Sequence, residues 1–408
     1  MDRITRVRIK NVRAIESVDL ELGHPVTVLI GENGSGKSTI LECLELLRKA
    51  AESSFLQQFY NLHRGMPGLL RKGTTELSVG ARIESDDPDV EPLDYEFTLR
   101  VAGPGALVVG EVLRNARDGF RIITNTGEGP RVYDAKTNSA PKLDPQPEGL
   151  ALTSFGAVPP DPRIGRVIRA LRGIEVHLPF DTLAAWAAQS VQRTPTLRGT
   201  GMLVPAERLT LLGHNLASAW SALKNVDDAH WRHTMGLVRL GLGESVDSIN
   251  TVPDAGGGYV GLALKRADLA DPIPAANLSD GQLAWLAFVA LARLNPGRAL
   301  LAVDEPELHL HPSLLGRVVT MLASLPGGTP VVLSTHSDRV LELLDDPADA
   351  VRVCSLTGSR AEVSRIDAEE LPRWLEQFGD LGQLRAAGYL SRVLVPTPPV
   401  ASPDEGGE

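Results

Sequence analysis

A glycine-rich run, Gly31-Glu32-Asn33-Gly34-Ser35-Gly36-Lys37-Ser38-Thr39, carries the residue types that grip phosphate. Glycines let a backbone wrap inward, so that successive N–H groups face phosphate oxygens. Lys37 would reach the β- and γ-phosphates of a nucleoside triphosphate, and the Ser38 hydroxyl would hold Mg²⁺. Asn33, Gly34, Ser35, Gly36 and Thr39 complete that cradle. Further along, Asp304-Glu305-Pro306-Glu307 follows an apolar run. An aspartate there can support the metal's water shell, and the next glutamate can orient or deprotonate an attacking water. In Ser334-Thr335-His336, the histidine can hydrogen-bond a γ-phosphate or be simply a polar strand end. In Leu278-Ser279-Asp280-Gly281-Gln282, Ser279 and Gly281 stand before a helical pattern and can form a second anion cradle. Taken alone, that pentapeptide reads as an ordinary N-cap.

The flanking sequence supplies elements to position these groups. Val26-Thr27-Val28-Leu29-Ile30 is a buried-strand run entering the glycine loop, and residues 40–47 continue as an amphipathic helix. Helix N-terminal donors and the helix dipole would add to the phosphate grip. Ala299-Leu300-Leu301-Ala302-Val303 and Val331-Val332-Leu333 read as further core strands, and residues 283–294 as an apolar helix stopped by Asn295-Pro296-Gly297. Val18, Leu20 and Leu22 alternate with acids, the period of a half-buried strand. Segments 76–83, 95–101, 107–113 and 120–123 are β-rich, broken by Asp86-Asp87-Pro88 and Gly103-Pro104-Gly105. A proline-rich linker at 138–162 leads to helical patterns at 163–171, 215–224 and 228–240. A β-like pair at 351–356 and 362–365 precedes a closing helical pattern at 371–390.

Bulk composition narrows the class. The 408 residues are 43% hydrophobic and 23% charged, as expected of a globular protein with two or three units. No apolar run is long enough to span a membrane, and the N-terminus enters a strand pattern at once, so a cytoplasmic protein is expected. Two cysteines, both in apolar segments, fit buried thiols in a reducing compartment. The formal charge of −10 argues against a large permanent DNA-binding surface, without excluding a local basic patch.

The order of phosphate loop, Leu-Ser-x-Gly-Gln, Asp-Glu-Pro and Ser-Thr-His resembles the ABC-type ATPase head. The continuation Asp304-Glu305-Pro306-Glu307-Leu308-His309-Leu310-His311-Pro312 and the opening Ile9-Lys10-Asn11-Val12-Arg13 resemble its SMC, RecF and OLD branch. That resemblance implies an α/β fold, with a mixed sheet flanked by helices and an inserted β/helical lobe. The head would comprise 1–54 and 251–395, the lobe 55–250, and a disordered tail 396–408. It implies ATP and Mg²⁺ as ligands, with Lys37 and Ser38 on phosphate and metal and Asp304 supporting the metal. Glu305 would be the catalytic base, His336 the γ-phosphate sensor, and Arg13 a nucleotide contact. Ser279 and Gly281 would meet the nucleotide of a second copy, making ATP the clamp of a homodimer. Two departures stand out: Asp280 replaces the usual glycine, and the connecting-loop glutamine is represented only by Gln57 or Gln58.

Other features carry less. His309 and His311 alternate beside Glu307 and, in an extended segment, would face one way; the resemblance places them near a dimer seam rather than on a metal. Arg163, Arg166, Arg169 and Arg172 form the basic face of an amphipathic helix, read first as solvated surface and second as a phosphate or partner contact. The insertion lacks heptad arms, and the residues after His336 show no nuclease-like carboxylate cluster. The expected function is therefore ATP hydrolysis controlling a separately encoded nuclease or toxin effector in anti-phage defence. A RecF-like DNA-repair clamp is the alternative, and an energising transporter subunit conflicts with residues 307–312.

Overall fold

The computed structural model describes residues 1–22, 25–63, 66–103, 105–126, 129–144, 149–156, 158–183, 197–253, 258–294 and 297–397, without side chains at 61–63 and 67. The expected breaks at Pro104 and Asn295-Pro296, part of the 138–162 linker and the tail from 398 lie outside them.

In chain order the early strands are β1 (Asp2–Val12), β2 (Ile15–Glu21), β3 (Val26–Gly31), β4 (Glu76–Ser85), β5 (Leu93–Ala102), β6 (Gly105–Asn115), β7 (Arg121–Asn125), β8 (Arg131–Val132) and β9 (Ile174–His177). The middle of the chain contributes β10 (Gly201–Met202), β11 (Val246–Pro253), β12 (Tyr259–Arg266) and β13 (Ile273–Pro274). Last come β14 (Leu300–Asp304), β15 (Val331–Thr335), β16 (Val351–Thr357), β17 (Arg360–Ile366) and β18 (Leu394–Pro396). The chain divides into two compact units: Met1–Val176, Arg298–Ala302 and Gly327–Glu408 in the first, His177–Gly297 and Val303–Pro326 in the second.

The first unit is built on a mixed sheet ordered β8-β7-β6-β5-β4-β1-β2-β17-β16-β3-β15-β14-β9, with β18 on β17. Around β3 the pairing is parallel: Val28 faces Leu333 of β15 on one side and Val351 of β16 on the other. From β4 through β8 it is antiparallel, the natural product of consecutive hairpins, and β1 joins β4 antiparallel from far earlier in the chain. All six residues of β3 are buried, as befits a strand covered on both faces. β1 instead alternates, burying Ile4, Val7, Ile9 and Val12, with an irregularity between Ile4 and Arg6. Helix α1 (Lys37–Ala50) buries Ile40, Leu41, Leu44 and Leu47 and ends in Arg48 and Lys49, cations that suit the negative end of its dipole. A second helix, α2 (Phe55–His63), packs Phe55 edge-on against Phe97 of β5. Helix α3 (Pro162–Arg172) starts at Asp161, whose carboxylate accepts from the Arg163 N–H at 2.9 Å, with Pro162 in the first turn.

Among the buried charged groups of this unit, two carboxylates show opposite outcomes of burial. Asp94 collects Arg8, Arg82 and Arg114 at 2.8, 3.0 and 3.3 Å; these cations outweigh burial and hold its carboxyl below the usual range. Glu111, fully buried, accepts from the N–H groups of Ala151 (2.6 Å) and Leu152 (2.9 Å) and from the Tyr95 hydroxyl (3.1 Å). Burial outweighs those bonds and pushes the Glu111 carboxyl up to about 7.

The second unit packs α4 (Leu216–Lys224), α5 (Asp228–Leu242), α6 (Asp280–Arg293) and α7 (Pro312–Ala323) with a small sheet ordered β10-β12-β11, β13 joining β12. Helix α6 is apolar nearly all round and buries every residue from Leu283 to Ala292, the mark of a central helix. Gly241 of α5 lies so close to Trp285 that a Cβ there would sit 2.2 Å from the indole. The closing helical pattern splits into α8 (Leu371–Phe378) and α9 (Leu381–Ala386) of the first unit, because Gly379 turns the chain at φ +85°.

Candidate functional site

The phosphate loop leaves β3 at Gly31, opposite Cys354 of β16. A Cβ on Gly31 would lie 2.0 Å from the Cys354 carbonyl oxygen and 2.9 Å from Ser35 Oγ, so only glycine fits. Gly34 and Gly36 adopt φ of +80° and +99°, left-handed values that let the loop curl over the start of α1. Gly36 caps α1 without any side-chain bond, which leaves the first-turn N–H groups aimed outward for an anion. Lys37 is only 5% exposed, and its ammonium donates to the carbonyls of Gly31 (2.8 Å) and Glu32 (3.1 Å). Ser35 is buried with its Oγ lacking a hydrogen-bond partner, a polar atom that a ligand oxygen or donor would satisfy. Asn33 and Ser38 are exposed and Thr39 buried. Inward-curled glycines, an uncapped helix start, a folded-back lysine and an orphaned hydroxyl fit a nucleoside triphosphate. Ser38, in the first turn of α1, is placed to share a divalent metal with it. Burial pushes the neighbouring Cys354 thiol up to about 12, against the pull of the Lys37 charge.

Two more expected residues reach this loop's surroundings within the same unit. Parallel pairing of Thr335 with Ile30 brings His336 to the sheet end from which Gly31 departs. The His336 turn is tied down from α9: Arg385 donates to the His336 carbonyl (3.4 Å) and to the Asp338 carboxylate (2.5 Å). Arg13, at φ +48° in the β1–β2 turn, clamps Glu42 of α1 with two bonds at 2.5 and 3.0 Å and donates to Gly68 O. Gln57 and Gln58 lie on α2, Gln57 exposed and Gln58 half-buried.

The second unit holds the acids and the Leu278–Gln282 turn. β14 ends at buried Asp304, and Glu305 follows at φ +44°, a left-handed value uncommon for glutamate and frequent where a site stores strain. The following residues are not extended as expected. They coil through turns in which Leu308 N–H donates to Glu305 O and Leu310 N–H to Glu307 O, with His309 at φ +66°. His309 and His311 therefore do not form a two-toothed ligand. His311 caps α7 through Ser313, and His309 Nδ1 lies 3.9 Å from Asp280. No group of acids, histidines and cysteines suited to a metal occurs among the described residues.

Ser279 caps α6 in a reciprocal box: its Oγ accepts from Gln282 N–H at 3.3 Å, and Gln282 Oε1 accepts from Ser279 N–H at 2.9 Å. The ordinary N-cap is thus realised. Gly281 is required by close packing, since a Cβ there would stand 2.9 Å from the His309 carbonyl. Asp280 is held by Arg198, a residue to which no motif in the sequence points.

The first unit therefore gathers Arg13, Asn33, Gly34, Ser35, Gly36, Lys37, Ser38, Thr39 and His336, and the second gathers Ser279, Gly281, Asp304 and Glu305. Three of the four arginines on the α3 face are engaged by their own surroundings, while Arg169 is exposed. Arg163 pairs with Asp161 (2.7 Å) and lies over the Phe120 ring, Arg166 pairs with Asp2 (2.7 Å), and Arg172 donates to Ala51 O.

Comparisons with known proteins bear on the family and the fold. A family model described as "AAA domain, putative AbiEii toxin, Type IV TA system" matches residues 218–342, and an AAA-domain model matches 6–47. A DNA replication and repair protein RecF from Mannheimia succiniciproducens is 34% identical over 21% of this chain, and the match spans only 25% of that protein. The "Retron Ec83 probable ATPase" of Escherichia coli is 24% identical, over 84% of this chain and 70% of its own length. Among solved structures, an Smc head domain from Pyrococcus furiosus, bound to the C-terminal domain of ScpA, superposes with a TM-score of 0.53. It covers 92% of this chain and 99% of that one at 14% identity, a likeness of fold.

Proposed function

We propose, for a chain that is an ABC-type ATPase of the SMC, RecF and OLD branch, that ATP clamps two copies together and that hydrolysis releases them. The observation that carries this reading is the phosphate loop, with its left-handed glycines, uncapped α1 and buried Lys37. The head is assigned to residues 1–54 and 251–395, with 55–250 as the inserted lobe.

In this reading Lys37 and the loop N–H groups neutralise the β- and γ-phosphates. A Mg²⁺ ion held by Ser38 and supported by Asp304 would offset charge developing on the transferred phosphoryl group. Glu305 orients and deprotonates the attacking water, and His336 bonds the γ-phosphate. Ser279 and Gly281 would meet the triphosphate bound by a second copy, so each site is complete only in the pair. Loss of the γ-phosphate removes the charge that joins them.

Among processes, control of a separately encoded nuclease or toxin effector in anti-phage defence is favoured by the retron ATPase likeness along most of the chain. A RecF-like DNA clamp is the second reading, favoured by the local RecF similarity. The internal engagement of Arg163 and Arg166 and the net charge of −10 weigh against it. The test is a Glu305→Gln variant followed by light scattering with and without ATP. It should bind ATP, dimerise and turn over slowly; a variant that stays monomeric at saturating ATP refutes the clamp.

A further inference from the structure

The turn that opens α6 has a charge problem, and one buried cation solves it. Helix N-termini draw anions with roughly half a unit of positive charge. Asp280, in the first turn of α6, opposes that with a full negative charge on a side chain that is 50% exposed. Arg198, whose side chain is only 7% exposed, bonds to that carboxylate. The same guanidinium donates to the carbonyls of Thr182 (2.8 Å) and Ala276 (3.2 Å) and to that of Leu278. It therefore cancels the carboxylate and fixes the backbone leading into Ser279. The close contact of Gly281 with the His309 carbonyl holds the turn from its other side.

We infer that Arg198 is a positioning residue for the ATP-joined pair: it neutralises Asp280 so that the Ser279–Gly281 turn can accept the second copy's triphosphate. The inference rests on the clamp reading above. A surface ion pair would matter little, but this cation is enclosed by backbone acceptors that hold it against Asp280, which mobile ions can only partly imitate. Removing its charge exposes the incoming phosphates to Asp280, whereas removing both charges leaves the dipole to act alone.

The experiment measures the ATP concentration for half-maximal dimerisation, by light scattering in the slow-turnover Glu305→Gln background. Arg198→Gln keeps a donor but loses the charge. It should raise the requirement on the order of tenfold, the effect of one charge about 10 Å away at an effective dielectric near 20. Asp280→Asn should lower the requirement. The pair Arg198→Gln/Asp280→Asn should return to within about threefold of the parent, and added salt should shrink the single variant's deficit. A purely structural tether predicts no rescue by Asp280→Asn. An Arg198→Gln variant equal to the parent, a double variant no better than it, or an Asp280→Asn variant needing more ATP each overturns the assignment alone. If Arg198→Gln fails to fold, the direction of the Asp280→Asn shift decides. A parent that stays monomeric overturns the clamp and this assignment together.

Discussion

Replacing Gly31 by alanine tests whether the phosphate loop is built as described. The added Cβ would stand 2.0 Å from the Cys354 carbonyl oxygen, against an ordinary limit of about 3.2 Å, so β3 and β16 must part by ~1.2 Å where the loop begins. A strand hydrogen bond near ~2.9 Å does not survive that displacement. Overpacking costs roughly 1–3 kcal/mol, and the lost bond about another 1 kcal/mol. A total of ~2–4 kcal/mol corresponds to about 30- to 1,000-fold in ATP affinity if it falls on the loop alone. Fluorescent ATP titration reads that loss, and a thermal melt reads any share carried by the fold. Gly34→Ala is the comparison: open space surrounds its Cβ but its φ is +80°, so roughly 1–2 kcal/mol of backbone strain is expected. Gly31→Ala within threefold of wild type in affinity and with an unchanged melting point would refute the described contact.

Lys37→Ala should abolish measurable ATP binding while leaving the melting point of the nucleotide-free protein within a few degrees; retained affinity in the same titration counts against the site. Glu111 predicts a pH dependence. Its folded carboxyl lies near 7 against 4.5 when exposed, so its folded state binds the proton more tightly. Its contribution is therefore full below pH 4.5 and lost as pH rises to about 7, roughly 3 kcal/mol in all. Comparing urea midpoints of wild type and Glu111→Gln across that window should show the slope flattened in the variant; parallel curves contradict it. Reversing Arg163 and Arg166 to glutamate should lower the melting point by several degrees, because their partners Asp161 and Asp2 would then face like charge. In the same variant DNA retention on a column should not change, and a large loss at low salt would revive the phosphate-contact reading.

The chemistry-bearing elements were largely legible because each is local. β3, the loop and α1 follow one another, and their glycines, apolar run and helical period are adjacent in the chain. The strands at 76–83, 95–101 and 107–113 appear as β4, β5 and β6, each longer by a few residues, since strand ends are decided by partners. What stayed hidden depends on distance or on backbone torsion. Arg198 meets Asp280 only after folding, and nothing around it in sequence marks it. The β11–β12 hairpin was not read, because its alternation is diluted by Asn250, Thr251 and Gly261. The coil at Glu305–His309 replaced an expected extended segment because two residues take left-handed torsions that side-chain type does not announce. Asp280 read as a liability for an anion site, and its compensation was visible only in three dimensions.

The pairing of β3 carries a consequence for synthesis. Its neighbours are β15 and β16, encoded far downstream of the glycine loop. A nascent chain that has displayed the loop still lacks Thr335 and Cys354, so the loop's floor and flank form only when translation is nearly through this sequence. Pairing at such separation is slow and exposes sticky strands meanwhile. Ribosome-bound fragments ending before β15 should thus be unable to retain ATP, and folding helpers have most to do during that wait.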